Sequence, residues 1–135
     1  MSATRVVPLY TCEDVDRTVV WYRDVFGAEI GETFEDEGKM VGAEVLYGAV
    51  RIWLGQDDFQ KGRDRQKGIG FRIILETDED IDELADGIKG RGGELLMGPE
   101  DQPWGVRLFA IADPDGFNIT VSTPVQTVRW APSDR

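Results

Sequence analysis

From Asp101 to Thr120 the sequence runs DQPWGVRLFAIADPDGFNIT. It reads as a loop, a strand, a tight Asp-Pro-Asp-Gly turn and the opening of a second strand. Upstream of it the same order of elements is found twice.

The repetition shows first in short matches. EDVD (Glu13 to Asp16) returns as EDID (Glu79 to Asp82), 66 positions later, and GAEI (Gly27 to Ile30) returns as GGEL (Gly92 to Leu95), 65 positions later. Two matches in one order, at nearly one offset, indicate a duplicated module. In the first copy RVVPLYT (Arg5 to Thr11) is a short apolar strand, and Asp14 is placed to cap the helix that follows. Val15, Val19, Tyr22 and Phe26 fall at i, i+4, i+7 and i+11, a single buried stripe, and Gly27 ends the helix. Strands are expected around Glu29 to Phe34, Met40 to Tyr47 and Val50 to Leu54.

The second copy opens with a strand in GIGFRIILET (Gly68 to Thr77). Asp80 and Glu83 resemble a capping box, and Ile81, Leu84, Ala85 and Ile88 form the buried stripe of the second helix. Gly87 and Gly90 each weaken that helix by about 1 kcal/mol relative to alanine. Strands recur at Glu94 to Met97, Val106 to Ala112 and Asn118 to Thr123. The expected fold class is therefore α+β, with two βαβββ modules at about residues 5–55 and 68–124. They share a single domain of residues 1–135, with a polar linker at 56–67 and a tail at 125–135. One short helix cannot cover a four-stranded sheet alone. Two modules side by side are expected to form a curved, incomplete barrel of mixed strands around a cleft.

Composition narrows the function. With 41% apolar residues in 135, the chain holds an ordinary core and is neither disordered nor membranous. No apolar run approaches the roughly 20 residues of a membrane span, and MSATRVVPLY lacks the features of a signal peptide. Cys12 stands alone, which excludes an intramolecular disulfide and a cysteine cage; cytoplasmic residence is the expectation. The net charge of −11 repels nucleic-acid phosphates and favours cationic partners, although solubility alone also accounts for it.

Through EDVDRTVVWYRDVFGAEI in the first module, and QPWG and DPDGFNITV in the second, the chain resembles the vicinal oxygen chelate superfamily of glyoxalases, extradiol dioxygenases and bleomycin-resistance proteins. The resemblance spans about Val6 to Pro124. It implies that metal enzymes of the family take a histidine from a module's first strand and a glutamate from its last. Matched position by position, these fall at about Val7, within Gly68 to Arg72, and at Thr120. None offers an imidazole or a carboxylate, and the chain has no histidine. The resemblance thus implies the metal-free, bleomycin-resistance-like branch: small acidic homodimers that sequester a bulky cationic antibiotic at the subunit interface. VVPLYT resembles their opening, where the N-terminal strand is exchanged between subunits; an ordinary edge strand explains Pro8 equally well.

Candidate ligand-binding residues follow. Trp53 shares a strand face with Arg51 and belongs either to the core or to the cleft. Trp104, between a proline and a glycine, suits a cleft rim or a subunit contact, whereas Trp21 suits the core and Trp130 lies in the tail. Asn118, Thr120 and Ser122 alternate with Ile119 and Val121; by the family match this polar set faces the cleft, and a solvent-facing strand is the other reading. Arg107 and Arg72 are surface residues or, if inward, would favour an anionic ligand. Glu44, mid-strand with Gly42 and Leu46 on its side, is an outward charge or an inward base. Cys12 has no histidine to activate it.

The expected function is metal-independent binding of a small organic ligand, a cationic aromatic molecule included, by a cofactor-free homodimer with no nucleic-acid or membrane partner. Two alternatives stand beside it. One is a superfamily enzyme (isomerase, lyase or dioxygenase) with an atypical site. The other is a regulatory module whose cleft is vestigial.

Overall fold

The computed structural model describes residues 1–124. The first module holds β1 (Leu9–Cys12), α1 (Val15–Trp21, continued by a π-helical turn, Tyr22–Phe26), β2 (Glu29–Asp36), β3 (Lys39–Tyr47) and β4 (Val50–Gln56). The second holds β5 (Arg72–Glu76), α2 (Ile81–Gly90), β6 (Leu95–Asp101), β7 (Arg107–Ala112) and β8 (Asn118–Ser122). Each module makes one four-stranded mixed sheet, ordered β1-β4-β3-β2 and β5-β8-β7-β6, in which only the first strand runs parallel to its neighbour. The fold is α+β as expected, with two βαβββ units and no closed barrel.

Local chemistry explains the helices. The Asp14 side chain accepts from the Arg17 N–H, and Asp80 accepts from the Glu83 N–H, so each helix begins at an aspartate cap. The expected stripes are buried, Val15, Val19, Tyr22 and Phe26 in one helix and Ile81, Ala85 and Ile88 in the other, except that Leu84 of the second stripe is only half-buried. The π-helical turn is not visible in a 3.6-residue period; there the Tyr22 carbonyl accepts from both Gly27 and Ala28.

Both helices and the inner faces of both sheets contribute to one apolar core. Tyr10 of β1 stacks on Phe117, ahead of β8, at 4.2 Å between ring centroids, and Phe26 lies 4.6 Å from Tyr47. The Asp-Pro-Asp-Gly turn locks the modules together. Asp113 accepts from the Tyr22 hydroxyl at 2.8 Å and from the N–H groups of Asp115 and Phe117. Asp115 accepts from the Glu13 N–H at 2.9 Å and the Thr18 hydroxyl at 3.1 Å.

Three strand boundaries differ from expectation by four residues, the others by at most two. β1 begins at Leu9, not Arg5: Pro8 has no N–H to donate, although its carbonyl accepts from Trp53. β5 begins at Arg72, because Gly68 and Gly70 adopt positive φ and interrupt the extended chain. β6 runs on past Gly98 to Asp101 through a register shift between Met97 and Glu100. Gly98 has φ of 81°, and a Cβ there would lie 2.5 Å from the Leu108 carbonyl oxygen. Gly98→Ala is therefore expected to cost about 2–3 kcal/mol, read as a lowered urea midpoint at unchanged slope.

The linker folds back on a buried carboxylate. Asp57 accepts from the Phe59 N–H at 2.9 Å and meets Lys67 at 3.0 Å and Arg65 at 3.2 Å. The Phe59 N–H first, and then Lys67, hold its pKa down to about 2. A depressed carboxylate stabilises the fold fully above its ordinary value of 3.8, and that contribution is lost as pH falls towards 2. Asp57→Asn should therefore flatten the fall of Tm over this acid range, measured by thermal scans at stepped pH.

Candidate functional site

Each sheet has a second face, turned away from the core and its helix. On the first sheet the antiparallel register sets Glu44 opposite Trp53 and Leu46 opposite Arg51. Residues so paired have neighbouring side chains, and diagonal partners remain within reach of long ones. The Glu44 carboxylate accordingly accepts from Arg51 Nη1 at 2.9 Å and from Trp53 Nε1 at 3.2 Å, both on one oxygen. Its other oxygen accepts from the Glu32 N–H at 3.3 Å. Trp53 is 42% exposed. The result is an indole pinned at its nitrogen, its charge environment balanced by one acid and one base, with Leu9 beside it across the parallel β1–β4 pair.

The middle of the corresponding face of the second sheet is neutral. Ile74, Thr120 and Ala110 occupy one line across β5, β8 and β7, with Arg72 and Asn118 on the next line and Glu76 and Ser122 beyond. Thr120 is only 3% exposed, enclosed by these neighbours, and its hydroxyl donates to Asn118 Oδ1 at 3.2 Å. The Ser122 hydroxyl donates to the Thr123 carbonyl. These groups offer hydrogen bonds and no charge. Ile74 and Leu96 are exposed on the same sheet.

The structure thus brings Glu44 to Trp53, and Asn118 to Thr120 and Ser122, while no hydrogen bond among the described residues joins the two sets. Trp104 stands 63% exposed in the β6–β7 loop. Arg107 is placed elsewhere: it shares the alternation of Phe109 and Ile111, on the helix side. There it pairs with Asp82 at 2.8 Å and Asp101 at 3.2 Å, and these hydrogen bonds, Asp82 first, raise its pKa further. Trp21 packs on Phe26 and Tyr22. Trp130 lies outside the described residues. Burial, with Asp115 beside it, pushes the Cys12 thiol up to about 12, so it supplies no thiolate.

Sequence reading missed the role of Arg51. The alternation in VRIWLG puts it on the face of Trp53, but only the β3–β4 register places Glu44 between them. Leu9 and Ile74 were equally hidden, since a single apolar residue on a strand does not announce its face.

A divalent metal does not fit these faces. Near Thr120 the neighbours are Ile74 and Ala110, and near Trp53 the Glu44 carboxylate is held by Arg51. Among the described residues no group of three or more His, Cys, Asp or Glu is placed to hold a metal ion.

A family model described as Glyoxalase/Bleomycin resistance protein/Dioxygenase superfamily matches residues 5–121. No curated protein matches the sequence significantly. Among solved structures, TioX from Micromonospora sp. ML1 superposes with a TM-score of 0.72 at 20% identity, over 90% of this chain and 98% of that one. A bleomycin resistance determinant encoded on the transposon Tn5 gives 0.68 at 23% identity, over 92% and 100%. TnmS3, an antibiotic binding protein from Streptomyces sp. CB03234, gives 0.65 at 23% identity, over 92% and 99%. At these identities the likeness establishes the shared fold.

Proposed function

Because this chain belongs to the Glyoxalase/Bleomycin resistance protein/Dioxygenase superfamily, we propose that it binds a small organic molecule against Trp53, without a metal ion. The observation that carries this reading is the indole held by Glu44, itself paired with Arg51, on an open sheet face. An aromatic ring fixed in orientation is a stacking platform that loses little entropy when a planar ligand lands on it. The excess negative charge favours a cationic aromatic ligand, and the fold is shared with an antibiotic binding protein and a bleomycin resistance determinant. Antibiotic sequestration is the form of binding we favour.

The protein acts as a homodimer in this reading. Leu9, Trp53, Ile74 and Leu96 are exposed on the two outer faces. A second copy would set the Trp53 face of one chain against the Thr120 face of the other, closing a cleft with a stacking wall and a hydrogen-bonding wall. No helix among the described residues is long and apolar enough to cross a membrane, in keeping with the cytoplasmic residence we assign. The enzyme reading is disfavoured by Glu44, the acid it would use, which is already held by Arg51 and Trp53.

Titration with a panel of aromatic antibiotics, bleomycin among them, while following tryptophan fluorescence, tests the proposal. Saturable quenching at micromolar ligand is expected. No response to any member would overturn the sequestration reading, and stoichiometric iron, manganese or zinc in protein purified without chelator would overturn its metal-free form.

A further inference from the structure

The duplicated plan leaves an asymmetry between two equivalent junctions. Where the β1–α1 loop meets the other module, the turn from Asp113 to Phe117 fills the space and bonds to Glu13, Thr18 and Tyr22. At the matching junction the β5–α2 loop, Thr77 to Glu79, meets the β3–β4 turn, which consists of Gly48 and Ala49 alone. That turn carries no side chain long enough to bridge the gap. A cavity of about 580 Å³ remains between the modules, within the range of roughly 300–1,000 Å³ typical of small-molecule sites.

Its lining has two parts. Leu46, Val50, Leu75 and Leu84 give an apolar floor, with Tyr47 beside them. Glu29, Glu76, Asp78 and Glu79 are its acids, all exposed, and no lysine or arginine lines the cavity. Among the described residues no salt bridge reaches Glu29, Asp78 or Glu79. Burial raises the pKa of the Tyr47 hydroxyl, with the charge of Glu79 acting in the same direction and that of Arg91 against it. Apolar surface beside an excess of negative charge, four acids with Arg91 packed against Gly27, is complementary to one kind of molecule. A neutral ligand leaves the carboxylates without a counter-charge, and an anion is repelled by them.

We propose that this cavity binds an organic cation with an apolar body, an alkylammonium or arylalkylammonium ion. The body lies on the Leu46–Leu75–Leu84 floor and the ammonium sits among the carboxylates of Glu29 and Glu79. Trp53 and Glu44 do not line the cavity, and the proposal does not rest on the reading of the Trp53 face.

Calorimetric titration of the full chain with benzyltrimethylammonium, and in parallel with uncharged benzyl alcohol, tests it. Saturable binding of the ammonium ion is expected, weakened roughly tenfold or more by Glu29→Gln with Glu79→Gln and weakened by salt. Trp53→Ala should leave this affinity within roughly twofold. Two results overturn the proposal. The first is benzyl alcohol binding as well as the cation. The second is loss of binding in Trp53→Ala with the double glutamine variant unaffected, which would assign the cation to the Trp53 face.

Discussion

Asp113→Ala is expected to destabilise the protein by about 3 kcal/mol, among the largest effects of any single substitution outside the apolar core. The Asp113 carboxylate serves three donors: the Tyr22 hydroxyl on one oxygen, the Asp115 and Phe117 N–H groups on the other. Tyr22 is fully buried, so its hydroxyl has no water to turn to once the acceptor is removed. An orphaned buried donor costs about 1–3 kcal/mol, and the turn loses two further bonds of about 1 kcal/mol each, partly replaced by solvent. Tyr22→Phe removes donor and need together, and should cost only about 1 kcal/mol. Asp113→Asn should fall between them, since the carboxamide oxygen can keep the backbone donors while the amide turns to the tyrosine oxygen. Urea unfolding of the three variants orders them. An Asp113→Ala variant as stable as the parent would mean that the turn does not hold the modules together.

The same carboxylate gives a pH signature. Burial raises the Asp113 pKa, against the pull of the Tyr22, Phe117 and Asp115 hydrogen bonds. A carboxyl raised in the folded state contributes its stabilisation fully below its ordinary value and loses it as pH climbs through the raised one. This slope runs opposite to that of Asp57. Asp113→Asn should remove it, leaving a variant whose stability varies less as pH rises above the ordinary carboxylate range.

The second large effect is on binding. Trp53→Ala is expected to weaken the ligand found by fluorescence titration by roughly 10–100-fold, the loss of one aromatic stacking contact of about 1–3 kcal/mol. Stability should change little, because the indole is substantially exposed and outside the core. Trp53→Phe keeps a ring face but loses the Nε1–H bond to Glu44, and should weaken binding by roughly 3–10-fold. Glu44→Gln, which breaks the Arg51 pair and loosens the indole, is expected to resemble Trp53→Phe rather than Trp53→Ala. Since Trp53 is itself a reporter, affinity in these variants is best read by calorimetry. A Trp53→Ala protein with parental affinity would remove the Trp53 face from the site.

Much of the fold was legible because it rests on local order. The stripe Val15, Val19, Tyr22 and Phe26 is a property of one helix, and the returns of EDVD and GAEI mark where each helix starts and stops. The aspartate caps Asp14 and Asp80 need nothing beyond their own helices. The alternation of Asn118, Thr120 and Ser122 with Ile119 and Val121 likewise separates the two faces of β8 without any neighbour.

What the chain order alone determined, then, was the element plan and which residues within an element share a side, because helix and strand periods are set by bonds and angles along the backbone. The tertiary structure decided everything that depends on register and on the meeting of distant segments. Glu44 meets Trp53 only through the pairing of β3 with β4, and Tyr22 finds Asp113 from 91 positions away. Arg107 meets Asp82 only because α2 lies beside β7. The open junction above Leu75 exists because one turn is Gly48 and Ala49 where its counterpart is a five-residue loop. Such differences in reach and contact are set by how two modules pack, and no period along a single strand encodes them.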